Sequence, residues 1–343
     1  MKKIAVVVYN LGGPDSINSV YPFLKNLFSD PKILRMPAPV RWVLARLIAW
    51  RRTPAAKLIY AEIGGRSPIL PETQKQGVAL QNLLEKNYRV FVSMRYWHPF
   101  ADAVARDVVN WKPERVILLP LYPQFSSTTT SSFMRIWEKA AKSAALNAPT
   151  TQICCWPEAV GFIDAVCRTI DSAIDKLPDN APYRILFSAH GLPKSIVDAG
   201  DPYPYQVERT AVAVMRKLVR TGVDYTICYQ SRVGPMEWLQ PYTIDEIKRA
   251  GAEGKAIIVV PIAFVSEHSE TLVELDIEYA TLARKAGVEI YVRTATVSTD
   301  PSFIRSLADI VTSAGTTGTM AVGAICPGGF SDCPYQKTTI ENG

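Results

Sequence analysis

"KAIIVVPIAFVSEHSETLVELDIEY", residues 255–279, contains a strand, a turn and a helix in one short run. From Ala256 to Phe264 every residue is apolar, with none of the alternation of a half-solvated strand, so the segment reads as a parallel strand covered on both faces. Its four β-branched residues in a row, Ile257 to Val260, suit a pleated surface. Six more runs of this kind follow outward from it: "KIAVVVY" (3–9), "RVFVSMRY" (89–96), "RVILLPLYP" (115–123), "RILFSAH" (184–190), "DYTICYQ" (224–230) and "VEIYVRT" (288–294). Longer helical patterns separate them, and this βαβ rhythm predicts an α/β fold.

The rhythm runs twice. The chain therefore reads as two similar Rossmann-like halves, each a parallel sheet flanked by helices, over residues 1–157 and 158–313. A tail over 314–343 follows, and its start, "SAGTTGTM" (313–320), reads as a loose linker. Size agrees, since 343 residues favour about two domains of roughly 150. A composition of 48% hydrophobic and 20% charged residues is that of a soluble globular protein. No apolar run approaches the ~18 residues of a membrane span. The opening "MKK" resembles the start of a signal peptide, but the apolar stretch behind it is too short and leads into a turn. Six cysteines in a chain this long suit a reducing compartment better than a disulfide framework, so a cytoplasmic location is expected. The net charge of +6 is spread over helical segments without zinc-finger, basic-zipper or RNA-binding signatures, which argues against nucleic acid. A membrane surface or an acidic small molecule suits that charge better.

Ligands of open parallel sheets bind beyond the carboxyl ends of the strands. All three histidines, His98, His190 and His268, fall there. After His268 come Glu270, Glu274, Asp276 and Glu278, with Glu267 before it and no lysine or arginine among them. A helix N-terminus capped by Ser266 explains acids in the first turn, Glu267 and Glu270. It leaves Glu274, Asp276 and Glu278 unexplained. Glu270, Glu274 and Glu278 are four apart and form a ridge that drifts by roughly 40° per step at 3.6 residues per turn; a π-type widening would straighten it. Such a ridge suits the passage of protons or metal cations, and histidine with carboxylates suits a divalent first-row metal. The zinc motif HExxH is absent.

Ordered motifs run nearly end to end: "NLGGPDS" (10–16), "RRTP" (51–54), "EIGGRSPI" (62–69), "SMRYWHP" (93–99), "LYPQFSSTTTSS" (121–132), "FSAHGLP" (187–193), "GDPYPYQ" (200–206), "YQSRVGPMEWLQP" (229–241) and "PIAFVSEHSETLVELDIEY" (261–279). Together they resemble the ferrochelatase family, of bacterial type. The resemblance implies a chelatase-type fold and a lyase that inserts Fe2+ into protoporphyrin IX, the last step of haem synthesis. It implies that His190 is the base for the pyrrole protons and that Glu270 faces it across a cleft between the halves. It further implies that His190 and Glu270 meet the metal, with His268, Glu274 and Glu278 along the proton or metal path. Leu11, Arg51, Arg52, Tyr60, Ser67, Arg95, Tyr96 and Trp238 match positions that line the porphyrin or hold its propionates. Without the resemblance, Tyr96, Trp97 and Trp238 would be core aromatics, and "LGGP" a turn that admits close backbone approach.

The chemistry requires no cofactor, because Fe2+ is substrate. Some relatives carry a 2Fe–2S cluster, and the candidate ligands here are Cys154, Cys155, Cys326 and Cys333; Tyr335 stands where a further tail cysteine would be expected. The segment "APVRWVLARLIAWRR" (38–52) is apolar almost all round as a helix. It is either packed into the core on both sides or a lip touching the inner membrane from the cytoplasmic side, and a lipophilic substrate favours the lip. Two alternatives stand beside this. One is a chelatase for another tetrapyrrole, such as coproporphyrin III, or another metal, such as cobalt. The other is a haem or metal carrier without catalysis, which would have no use for both a base and a proton exit.

Overall fold

A computed structural model describes residues 2–218, 222–315, 317–323 and 326–336. One sheet contains β1 (Ile4–Asn10), β2 (Tyr88–Met94), β3 (Arg115–Pro120), β4 (Thr150–Cys155) and, from far along the chain, β9 (Gly318–Ala321), in the order β2-β1-β3-β4-β9. The other contains β5 (Tyr183–His190), β6 (Asp224–Gln230), β7 (Ala256–Pro261) and β8 (Tyr291–Arg293), in the order β6-β5-β7-β8. Pairing of β1 with β2 and β3, and of β5 with β6 and β7, is parallel. The two sheets thus share an arrangement, with the first strand lying between the second and the third.

Helices α1 (Val20–Phe28), α2 (Ala38–Glu62), α3 (Ile69–Leu83), α4 (Ala101–Trp111) and α5 (Thr130–Ser143) accompany the first sheet. With the second come α6 (Val160–Ile174), α7 (Lys194–Val197), α8 (Tyr203–Leu218), α9 (Thr243–Ala252) and α10 (Ala280–Lys285). Every residue of β1 and of β7 is buried, which is what an unbroken apolar run requires of a central strand. One face of β1 packs Val7 and Tyr9 against Val104 and Val108 of α4 and Phe133 and Trp137 of α5. In the second sheet Leu186, Ile257 and Val259 meet Ile247 of α9 and Ala283 of α10.

Two compact units result, Met1–Cys154 with Ala308–Met320, and Cys155–Leu307 with Ala321–Gly343; the chain returns to the first unit within α11 (Pro301–Ser313). The residues after Ser313 are more than the loose linker expected of them, since β9 extends the first sheet. Residues 316, 324–325 and 337–343 of the expected tail lie outside the described residues. In each sheet the strand order reverses at the flank of its first strand, and a crevice opens there at the carboxyl ends. In the first unit those ends lead into Leu11 and Leu121. In the second they are His190 and the acidic segment after β7.

Candidate active site

His190 closes β5, in register with Gln230 of β6. Its Nδ1 lies 2.6 Å from the Gly191 carbonyl oxygen. That oxygen can only accept, so Nδ1 is the donor, and in the neutral ring the lone pair falls on Nε2. Nε2 is 3.6 Å from Glu270 Oε1. Gly191 must be glycine, because a Cβ there would lie 2.9 Å from the Gln230 carbonyl and 3.2 Å from the ring of Trp238. Trp238, only 9% exposed, is held by its indole N–H on the Val233 carbonyl at 3.0 Å.

The other oxygen of Glu270 is 3.4 Å from His268 Nε2. His268 is 6% exposed, and its amide donates to Thr271 Oγ1 at 3.0 Å. Burial alone would raise the Glu270 carboxyl, but the charge that His190 carries when protonated, then the long polar contact and charge of His268, bring it down to about 2. Both nitrogen–oxygen separations exceed a good hydrogen bond. His190, Glu270 and His268 therefore form a row into which a proton or a cation fits. Among the described residues no three histidine, cysteine or acidic side chains are grouped so as to hold a metal ion.

Glu270–Tyr279 is a π-helix that runs on into α10. Its i→i+5 closure widens the turn, so residues four apart fall just short of one turn rather than just beyond it. Glu274 is saturated with donors. Its Oε1 accepts from the Ser231 amide at 2.7 Å and the Tyr279 hydroxyl at 2.8 Å. Its Oε2 accepts from Gln230 Nε2 at 3.0 Å and the Ser231 hydroxyl at 2.5 Å. Glu278 is exposed, and burial, then the charge of Glu274, raise its carboxyl. Glu267 and Asp276 are not part of an unpaired ridge, because Arg293 of β8 binds both. The segment itself has no lysine or arginine, and the counter-charge for these two acids comes from β8.

The first unit holds the other candidates. Leu11, Tyr60, Tyr96 and Trp97 share a cluster with Phe23, Leu24 and Phe28 of α1 and with Ala45 and Ala49 of α2. The glycines of "LGGP" serve close approach within the chain. Gly12 has φ +84°, and a Cβ on Gly13 would lie 2.5 Å from the side chain of buried Ser67. Arg95 donates to Asp30 at 2.6 Å and to the Ser132 hydroxyl at 2.7 Å, while the Tyr96 hydroxyl donates to Asp30 at 2.8 Å. Arg135 reaches the same carboxylate at 3.2 Å. Arg51 and Arg52 are exposed on α2, with Arg52 5.6 Å from the centre of the Phe28 ring. His98 is exposed beside Trp97 and Phe100.

The α2 segment is not enclosed by core. Ala45 and Ala49 are buried, but Trp42, Leu47 and Trp50 are 58%, 53% and 69% exposed. Arg46 lies over the Trp42 ring, 3.5 Å from its centre. Among the described residues no helix is long and apolar enough to cross a membrane.

The four candidate cysteines do not assemble as a set. Gln206, fully buried, donates through Nε2 to Cys326 Sγ at 3.1 Å and to Cys155 Sγ at 3.5 Å. The hydrogen bond with Cys333, then burial, push the Cys326 thiol far up. Cys155 and Cys326 thus meet on one amide, and Cys333 reaches Cys326. Cys154, its neighbour on β4, is turned to the opposite face of the strand and acts on buried Tyr9. The six cysteines form no disulfide.

Ser231, Tyr279, Asp30, Gln206 and Arg293 were not picked out from the sequence. Ser231 and Tyr279 fall inside motifs that were quoted, but nothing in their spacing ties them to Glu274.

A family model described as Ferrochelatase matches residues 3–314. Curated proteins named Ferrochelatase are similar over nearly the whole chain. That of Caulobacter vibrioides is 48% identical over 345 aligned positions, covering 98% of each chain. That of Hyphomonas neptunium is 46% identical over 353, covering 100% of this chain and 97% of its own. A Wolbachia relative is 48% identical over 314, covering 90% of this chain and 98% of its own. Among solved structures, SirB from Bacillus subtilis with Fe3+ has the same fold at a TM-score of 0.53 and 11% identity, over 91% of this chain and 95% of that one.

Proposed function

The chain belongs to the ferrochelatase family, and from that premise we propose how its residues divide the insertion of Fe2+ into protoporphyrin IX. The reaction breaks two pyrrole N–H bonds, forms the iron–nitrogen bonds and releases two protons. His190 is the base: its Nε2 lone pair, fixed by the Nδ1 bond to Gly191, is free to take a pyrrole proton. Glu270 stabilises the imidazolium that results and offers the incoming ferrous ion its first carboxylate. The placing of His190 Nε2 3.6 Å from the Glu270 carboxylate, with Nδ1 turned to a carbonyl, is the observation that carries the reading.

Glu270, between two histidines, is held at about 2, whereas burial and the charge of Glu274 raise Glu278, so a proton is held more firmly at the exposed end of the segment than at the inner end. Glu274 keeps its shape between them, and the Ser231 and Tyr279 hydroxyls on it supply exchangeable protons. On the porphyrin side, Leu11, Tyr60, Ser67 and Tyr96 form a packed wall, and Arg51 and Arg52 are the cations open to propionates. Arg95 braces this wall through Asp30 rather than reaching for substrate. Within the second unit, Trp238 packs against Gly191, next to His190 in the chain. Rigid walls of this kind favour a bent macrocycle, whose tilted nitrogens lose protons more readily than those of a flat one.

The exposed tryptophans and basic residues of α2 support peripheral contact with a membrane, where a lipophilic porphyrin partitions. A 2Fe–2S cluster takes four ligands, whereas three thiols gather here, so no step is assigned to one.

The test is metal insertion into protoporphyrin, followed by absorbance with Zn2+ or Fe2+, together with porphyrin binding by fluorescence. His190→Ala is expected to lose insertion and keep binding. Activity within tenfold of the parent would remove His190 as the base, and a parent that binds porphyrin without inserting metal would favour a carrier.

A further inference from the structure

We propose that Arg293 is a positioning residue for metal insertion, one that sets His268 against Glu270 by clamping the acidic segment at two points. The proposal rests on the assignment of Glu270 above.

The guanidinium of Arg293, 11% exposed, makes three charged contacts. Nε and Nη2 donate to the two oxygens of Asp276 at 2.8 and 2.5 Å, and Nη1 donates to Glu267 Oε1 at 2.7 Å. The bidentate pair fixes orientation as well as distance, which a lysine could not reproduce. Glu267 passes the constraint on. Its Oε1 also accepts from the Thr296 amide at 3.0 Å, and its Oε2 accepts from the Thr271 hydroxyl at 2.5 Å. Thr271 Oγ1 in turn accepts the His268 amide at 3.0 Å. A continuous line of hydrogen bonds therefore joins Arg293 to the backbone that carries the His268 ring.

A π-helix of ten residues is unusual, since such helices are mostly single turns. Arg293 holds it from β8, with Asp276 inside the helix and Glu267 just ahead of it. Burial works against the Arg293 charge, but its bonds to Asp276 and the charge of Glu267 hold it firmly protonated. Pairing also takes Glu267 and Asp276 out of the local field. Among the described residues, no lysine or arginine pairs Glu270, Glu274 or Glu278, so the segment keeps its uncompensated charge only along the proposed path.

Removing Arg293 alone strands two carboxylates, so the decisive variant is the triple Arg293→Gln, Glu267→Gln, Asp276→Asn, which preserves shape and removes all three charges. Thermal melting, the KM for porphyrin, the KM for Zn2+ and kcat are measured on it and on Arg293→Lys. We expect a folded triple variant with porphyrin KM within twofold of the parent, a raised Zn2+ KM, and kcat lower by about tenfold to a hundredfold, as misplacement of a reacting group predicts. Arg293→Lys should show the same split more mildly. Metal kinetics within twofold of the parent would overturn the proposal, and so would a loss shared equally by porphyrin KM, because that reports general loosening. If the triple variant does not fold, Arg293→Lys is judged by the same criteria. Glu270→Gln is assayed in parallel: parent-like activity there would remove the catalytic assignment itself, a failure distinct from that of Arg293.

Discussion

Asp30 gathers Arg95, Arg135, Tyr96 and Ser132 on a carboxylate with no exposed surface. Truncating it leaves two guanidinium groups without their counter-ion, so Asp30→Ala should lower stability by about 3–5 kcal/mol in denaturant unfolding. Burial pushes this carboxyl up, but the charge of Arg95 and the bonds from Ser132, Lys32 and Tyr96 leave it below its ordinary value. A lowered folded-state value means the contribution is full above the unfolded value of about 3.9 and is lost as pH falls through the folded one. The parent should therefore lose stability below about pH 4, and Asp30→Asn should flatten that acid limb; an unchanged limb would move the effect to other carboxylates. Nothing in "FSDPK" marks Asp30, because its partners lie 65 and 105 residues away in the chain. The role proposed for His190 rests on its motif, since position at a strand end is shared by His98, which is exposed beside Trp97.

The π-helix carries a half-buried acid between two histidines at one end and an exposed acid at the other, and substitutions along it should differ accordingly. Glu270→Gln keeps shape but cannot carry charge, and should cost about a hundredfold or more in kcat, in the range expected for a lost acid–base group. Glu278→Gln, at the exposed end, should cost no more than a fewfold. The reverse ranking in the same absorbance assay would mean that protons leave by another route. Four-residue spacing made the ridge and its widened turn legible in the sequence. The clamp was not legible: Arg293 lies 17 and 26 residues beyond its partners, inside an ordinary strand run. For α2, all-round apolarity left two readings open, and exposure of Trp42, Leu47 and Trp50 decides against core on both sides. Replacing those three with serine should reduce sedimentation with anionic liposomes while melting stays near the parent value. Undiminished binding would place the membrane contact elsewhere.

At the scale of the whole molecule, the strands most plainly legible are those that a buried parallel sheet makes apolar throughout, such as β1 and β7, while Asp224–Gln230 falls where its more mixed run predicts. The unforeseen strands are β4, which begins with Thr150, Thr151 and Gln152, and β9, which begins with a glycine, and both lack that uniform signal. The meeting of Cys155 with Cys326 and Cys333 depends on the path of the tail, so adjacency of Cys154 and Cys155 in the sequence suggested a set that strand alternation divides. Anaerobically purified protein should accordingly show no visible absorption between about 330 and 550 nm and six titratable thiols. A band lost in Cys326→Ser would mean that a further group completes a four-ligand site.

The late arrival of β9 has a consequence for synthesis on the ribosome. Thr151 of β4 donates its hydroxyl to the Gly315 carbonyl, 164 residues further on. At about 5–20 residues per second, roughly 10–30 s pass between emergence of the two. During that interval β4 is an open edge, with unpaired backbone groups able to recruit a strand from another nascent chain. Its own sequence blunts the hazard, because Thr150, Thr151 and Gln152 are poor partners for apolar aggregation. The polarity that hid β4 from a reading of the sequence is thus what keeps the unfinished sheet soluble until the last strand is made.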